Sequence, residues 1–177
     1  MLARTTVLRG VLPCAVLLTS LCVFAGSKDD DKEPAPRFNA TTTAGEKFNN
    51  ASIKGKVVLL DFWTTWCQYC VKEASIVDNL NHEFAAKGLI VLAINVAESK
   101  KTVKKYLDQH PRTSRIVLME DTNLAAMYQA TVYPIYVVID RDGNIAGIQR
   151  GSAGEAPLRR LLARAGLESE STQDQQE

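Results

Sequence analysis

At Cys67 the hydrophobic pattern of this chain changes period. Upstream, "KVVLLDFW" (56–63) is a continuous β-rich apolar run and reads as a buried strand. Downstream, Val71, Ala74, Val77, Leu80 and Phe84 recur at helical spacing, and Gly88 is placed to end the helix. A buried strand that hands over directly to an amphipathic helix needs further elements on both sides to cover it, which points to layered α/β architecture.

The rest of the pattern supplies those elements. "RFNATTTAGEKFNN" reads as a short hairpin with Gly45 in its turn, and "LIVLAINV" (89–96) as a second buried strand. "SKKTVKKYLDQH" starts at a serine cap, Ser99, and stops before Pro111, so it reads as a helix. "RIVLME" is a short strand, "NLAAMYQA" a short helix and "PIYVVID" another strand, which "RDGN" (141–144) turns into "IAGIQRG". "GEAPLRRLLARAG" closes the domain as an amphipathic helix with Leu158, Leu161 and Leu162 inward. Strand–helix–strand followed by an antiparallel hairpin gives an α/β domain with a mixed sheet. The 177 residues leave room for one such domain and little more.

The two ends differ from this middle. Arg4 and Arg9 precede the uncharged apolar stretch "VLPCAVLLTSLCVFA", and small residues follow at Ala25, Gly26 and Ser27. That order is a secretory signal over residues 1–25, cleaved after Ala25. The competing reading is an uncleaved anchor, through which alone the chain would meet a membrane. The run is shorter than the roughly 20 residues a spanning helix needs. A lipoprotein reading through Cys22 is weakened by the bulky Leu21 before it. Residues 26–36 read as a charged, proline-containing tether, 37–167 as the domain, and 168–177 as a tail without apolar residues. A formal charge of +1 excludes a broad nucleic-acid footprint.

Cleavage removes Cys14 and Cys22, so the exported chain keeps Cys67 and Cys70. Zinc ribbons need a second C-x-x-C or a Cys/His pair, and His82 and His110 fit neither spacing. A structural crosslink over so short a loop removes little unfolded-state entropy. The remaining reading is redox. A thiolate at a helix N-terminus is favoured by the helix dipole and free N–H groups, which lowers its pKa and makes it the attacking species.

"DFWTTWCQYC" resembles the active-site segment of the thioredoxin superfamily. The hairpin, "KGKVVLLDFW", Glu73, "INVAESKKTVKKYL" as a central strand–helix insertion and "VYPIYVVIDRDGNI" resemble its exported TlpA/ResA-like branch. The match runs from about Phe38 to Leu167. The resemblance implies a thioredoxin-like fold: a mixed central sheet flanked by helices, with the N-terminal hairpin and the insertion. Two positions depart from the branch, Tyr69 and Ala74, where it usually has prolines.

Cys67 is expected to be the exposed nucleophile and Cys70 the resolving thiol. Asp61, six residues before Cys67, corresponds to a buried carboxylate that accepts the Cys70 proton; the bland alternative is an aspartate satisfied at a strand end. Glu73 corresponds to a glutamate lining the active-site cavity, against the alternative of a solvated residue favouring the helix dipole. Tyr133–Pro134 corresponds to the cis-proline loop that meets partner chains, though proline is also tolerated at a strand start. Trp63 is expected in the core and Trp66 on the rim that partners touch. Thr64 and Cys67 form a T-x-x-C as in peroxiredoxins, but the second cysteine and the missing upstream proline argue against that chemistry.

The expectation is therefore an exported, periplasmic or extracytoplasmic protein disulfide reductase. Its substrates are proteins with disulfides or thiols, such as apocytochrome c, and a membrane protein delivers its electrons. The Cys67–Cys70 pair carries the two electrons, so no organic cofactor or metal is required. Tyr69 suggests an isomerase or oxidant instead, since its N–H near the Cys67 sulfur would stabilise the thiolate. A copper-handling module using both thiolates is the rival from another class.

Overall fold

The computed structural model describes residues 32–169. The signal segment, the first part of the tether and most of the polar tail lie outside them. The elements are β1 (Asn39–Thr42), β2 (Lys47–Asn49), β3 (Val57–Trp63), α1 (Gln68–Phe84), β4 (Leu89–Asn95) and α2 (Lys100–Gln109). They continue with β5 (Arg115–Thr122), α3 (Leu124–Met127), β6 (Ile135–Ile139), β7 (Ile145–Arg150) and α4 (Glu155–Arg164).

The strands form one mixed sheet in the order β2-β1-β5-β4-β3-β6-β7. β3 pairs parallel with β4 and antiparallel with β6, so both its edges are hydrogen-bonded. All seven of its residues are buried, as its unbroken apolar run requires. Alternation divides them between two faces. Val58, Leu60 and Phe62 pack in a cluster with Leu124 and Tyr128. Val57 and Leu59 pack with Val77, Leu80 and Phe84 of α1 and with Leu158, Leu161 and Leu162 of α4. The α4 face matches expectation. Gly147 lets α4 seat closely on β7, because a Cβ there would stand 2.5 Å from Leu161 Cδ2.

The N-terminal hairpin forms with Gly45 at φ +88°, and β1 joins the sheet through β5. Three elements differ in extent or face. α3 is only four residues long and the chain turns at Gln129, φ +49°, so "NLAAMYQA" is not one continuous helix. The buried stripe of α1 is Cys70, Glu73, Val77, Leu80 and Phe84, while Val71 is exposed. The shift is confined to the first two turns, where Glu73 finds donors inside the protein; Val77, Leu80 and Phe84 face inward as the pattern expects. Finally, residues 33–36 lie within the segment read as tether, yet they dock on the β6–β7 turn. Ala35 N–H donates to Gly143 O at 2.9 Å and Ile145 N–H to Glu33 O at 2.8 Å. The packed domain thus begins before Arg37.

Candidate active site

Strand β3 ends at Trp63, and the loop "TTW" delivers Cys67 to the N-cap position of α1. Its Sγ accepts the Cys70 N–H at 3.1 Å, which satisfies one of the free donors of the first turn. Cys67 and Cys70 are joined as a disulfide. In this state Cys67 is 6% exposed and Cys70 5%, so the expected contrast between an exposed and an internal cysteine is not present. As a cap, the Cys67 side chain folds back over the helix and does not point outward. The donor to its sulfur is Cys70, and this N–H is independent of the residue at position 69.

The rim is aromatic. Trp66 is 67% exposed and Tyr69 60%. Trp66 meets Tyr133 edge-on, with ring centroids 5.9 Å apart. Tyr133 is anchored by its hydroxyl, which donates to Ala130 O at 2.9 Å, and it packs against the cluster that contains both cysteines. The Tyr133–Pro134 bond is cis. Trp63 is buried in that cluster, as expected of a core residue.

Asp61 is buried on the β3 face shared with Trp63 and is engaged by a residue that sequence reasoning missed. Arg112 Nη2 donates to Asp61 Oδ2 at 2.8 Å, and both side chains are almost fully buried. Burial pushes the Asp61 carboxyl above the ordinary carboxylate range; Arg112 opposes this, and the Asp78 and Glu73 carboxylates add to it. Arg112 also lies over the Trp63 ring, 5.2 Å from its centroid. Its loop is tied to α1, where Asp78 Oδ1 accepts the Thr113 N–H, the Thr113 hydroxyl and the Ser114 hydroxyl. A cavity of about 330 Å³ opens beside Cys70, lined also by Trp63, Tyr106, His110 and Arg112. His110 stacks on Tyr106 at 4.5 Å, so it belongs to the site's wall.

Glu73 is neither solvated nor among the residues lining that cavity. It is 4% exposed. Its Oε1 accepts from the Ser152 hydroxyl at 2.6 Å, Ala153 N–H at 3.1 Å and Gly154 N–H at 2.6 Å, and its Oε2 from the Tyr136 hydroxyl at 2.9 Å. It therefore clamps α1 to the loop entering α4. Tyr136 stands opposite Asp61 in the β3–β6 register, and burial beside Asp61 and Glu73 pushes its phenol far up.

Glu98 is a second residue that sequence reasoning missed. It accepts the Thr65 N–H at 2.7 Å, the Thr65 hydroxyl and the Asn95 amide at 2.8 Å. It fixes the loop that presents Cys67. Neither Arg112 nor Glu98 stands at a motif spacing from the cysteines. The usable signal was an arginine directly after the proline that ends a helix, in a chain with a buried aspartate lacking a partner. Among the described residues, no three or more His, Cys, Asp or Glu are grouped to hold a metal.

Residues 32–148 match the AhpC/TSA family. The chain is 31% identical over 150 residues to thiol-disulfide oxidoreductase ResA of Bacillus subtilis (strain 168), with 84% of each chain covered. It is 34% identical over 133 residues to the thioredoxin-like protein YneN of the same organism, covering 73% of this chain and 77% of the relative. Among solved structures, a thiol:disulfide interchange protein of the thioredoxin family from Chlorobium tepidum TLS superposes with a TM-score of 0.66 at 28% identity. That match covers 77% of this chain and 98% of the other.

Proposed function

The chain belongs to the AhpC/TSA family of thioredoxin-like proteins and is a thiol–disulfide oxidoreductase, and from that premise we propose that it works as a reductase of protein disulfides. The observation that carries the direction is the placement of Glu73. It lies three residues after Cys70 on the same buried face of α1, where side chains three apart are neighbours. A carboxylate there disfavours a second negative charge on Cys70. Pairs whose thiolates are poorly stabilised hold the disulfide form comparatively well, and so give up electrons readily.

In this reading Cys67 attacks the partner's disulfide and Cys70 resolves the mixed disulfide, with Asp61 accepting the Cys70 proton. Trp66, Tyr133 and Pro134 form the surface that receives the partner chain. The cysteine pair itself carries the electrons, with no organic cofactor or metal. The protein acts outside the cytoplasm, on exported proteins with disulfides or thiols such as apocytochrome c, and a membrane protein re-reduces it. Among the described residues no helix is long and apolar enough to cross a membrane. Membrane attachment would therefore fall to the N-terminal segment.

A second reading, isomerase or oxidant, rests on Tyr69 standing between the cysteines where the TlpA/ResA-like branch usually has proline. One pair of measurements decides. A reduction potential nearer thioredoxin's roughly −270 mV than the roughly −180 mV of protein disulfide isomerase, with efficient disulfide reduction, supports the reductase. Efficient repair of scrambled disulfides with negligible reduction overturns it. Trapping with Cys70→Ser, which leaves the mixed disulfide unresolved, identifies the partner.

A further inference from the structure

Arg112 is the residue shared by the two halves of this site. It lines the cavity onto which Cys70 opens, and it is the side chain that grips Asp61. Trp63 lines the same cavity, and the buried Arg112 Nε and Trp63 Nε1 have no acceptor among the described residues. The cavity, about 330 Å³, has room for several water molecules at roughly 30 Å³ each. Cys70 and the guanidinium that grips Asp61 therefore share one cavity.

We propose that Arg112 is a positioning residue for disulfide exchange, orienting Asp61 as the proton acceptor for Cys70 beside the cavity that Cys70 and Arg112 share. The proposal rests on the reading of Asp61 as that acceptor. Without the guanidinium, Asp61 would be a buried carboxyl facing Glu73 and Asp78 from α1, whose charges resist its ionisation, with the uncharged Tyr136 phenol across from it on β6. A protonated Asp61 accepts nothing. On the cavity's other wall stand Tyr106 and His110. Nothing else on these elements supplies Asp61 with a permanent cation. The position of Arg112 is over-determined: the Trp63 ring lies under it, and Asp78 ties down the two residues after it.

The chemistry balances as follows. The Cys67 thiolate attacks the partner's disulfide, releasing one partner thiolate and forming a mixed disulfide. The Cys70 S–H then passes its proton to Asp61, and the Cys70 thiolate attacks Cys67 Sγ. The bond between Cys67 and the partner breaks, the partner leaves as its second thiolate, and the Cys67–Cys70 disulfide forms. Two electrons have moved to the partner. The Asp61 proton then returns to solvent or to the departing thiolate.

Reduced protein mixed with 5,5′-dithiobis(2-nitrobenzoate) releases one thionitrobenzoate on attack by Cys67 and a second on resolution by Cys70, so stopped flow separates the steps. From about pH 5 to about pH 9 the second phase should show an acidic limb set by Asp61. Asp61→Asn should slow that phase by about a hundredfold and spare the first. Arg112→Gln should move the limb up by about one to three pH units, and Arg112→Lys, which keeps charge but loses the planar fork, by less. In the Asp61→Asn background, Arg112→Gln should add nothing. No effect of Asp61→Asn removes the Asp61 reading itself. A slowed second phase in Asp61→Asn, with a limb that stays in place in whichever Arg112 variants fold, overturns the role of Arg112 alone.

Discussion

Glu73 Oε2 accepts the Tyr136 hydroxyl hydrogen at 2.9 Å inside the protein, while Glu73 Oε1 takes three further donors from the loop entering α4. A single carboxylate thus joins the cysteine helix, the central sheet and the last helix. Glu73→Ala should leave those donors orphaned and destabilise the fold by about 3 kcal/mol or more in urea unfolding. Glu73→Gln can keep its oxygen on the loop and turn its amide to the Tyr136 oxygen, so it should cost about 1 kcal/mol. Because it also removes a negative charge beside Cys70, the same variant should raise the reduction potential. An unchanged potential in a stable Glu73→Gln protein would remove the electrostatic argument for a reductase.

Asp61 makes stability depend on pH in a direction opposite to a surface ion pair. Its folded pKa lies above the unfolded value near 3.8, so between the two the folded state binds more protons than the unfolded one. The contribution of Asp61 is therefore most favourable at low pH and is lost as pH rises through the folded value. Unfolding curves of wild type and Asp61→Asn over a pH series should show wild type losing stability relative to the variant as pH rises. A constant difference would mean that Arg112 fully compensates burial.

Trp66 has most of its surface in solvent and one ring contact, with Tyr133. Trp66→Ala should change stability by no more than about 0.5 kcal/mol, the range of exposed substitutions. It should lower kcat/KM for a protein disulfide several-fold while leaving the reaction with a small aromatic disulfide nearly untouched. Equal losses with both substrates would place Trp66 in the chemistry and not in docking.

Tyr69→Pro tests which N–H tunes the pair. Since Cys70 supplies the hydrogen bond to Cys67 Sγ, replacing Tyr69 should leave the potential within about 30 mV, a tenfold change in equilibrium constant. Equilibration against glutathione measures it. A larger fall would show that proline acts through backbone rigidity at the helix start.

How much of this was legible beforehand follows from how far each signal travels along the chain. The strand at 57–63, the helix after Cys67, the Ser99 cap and the Gly45 turn are written in local periodicity and local turn chemistry, and they stand in the structure. The cysteine pair at a helix start was readable for the same reason, whereas the cis Tyr133–Pro134 bond was expected only from the family resemblance. The start of the buried face of α1 was not readable. An apolar pattern places Ala74 inward and Glu73 outward, and it has no means of knowing that Ser152, Gly154 and Tyr136 are waiting inside. Likewise the resemblance pointed to Asp61 as a buried carboxylate, whereas its charge state depends on Arg112, 51 positions along the chain. Local sequence determined which segments pair, where they turn and which residues can do sulfur chemistry. Only the folded chain decided which polar groups meet in the interior, because burial strengthens such contacts and their partners are brought together by topology, across separations that no periodicity records.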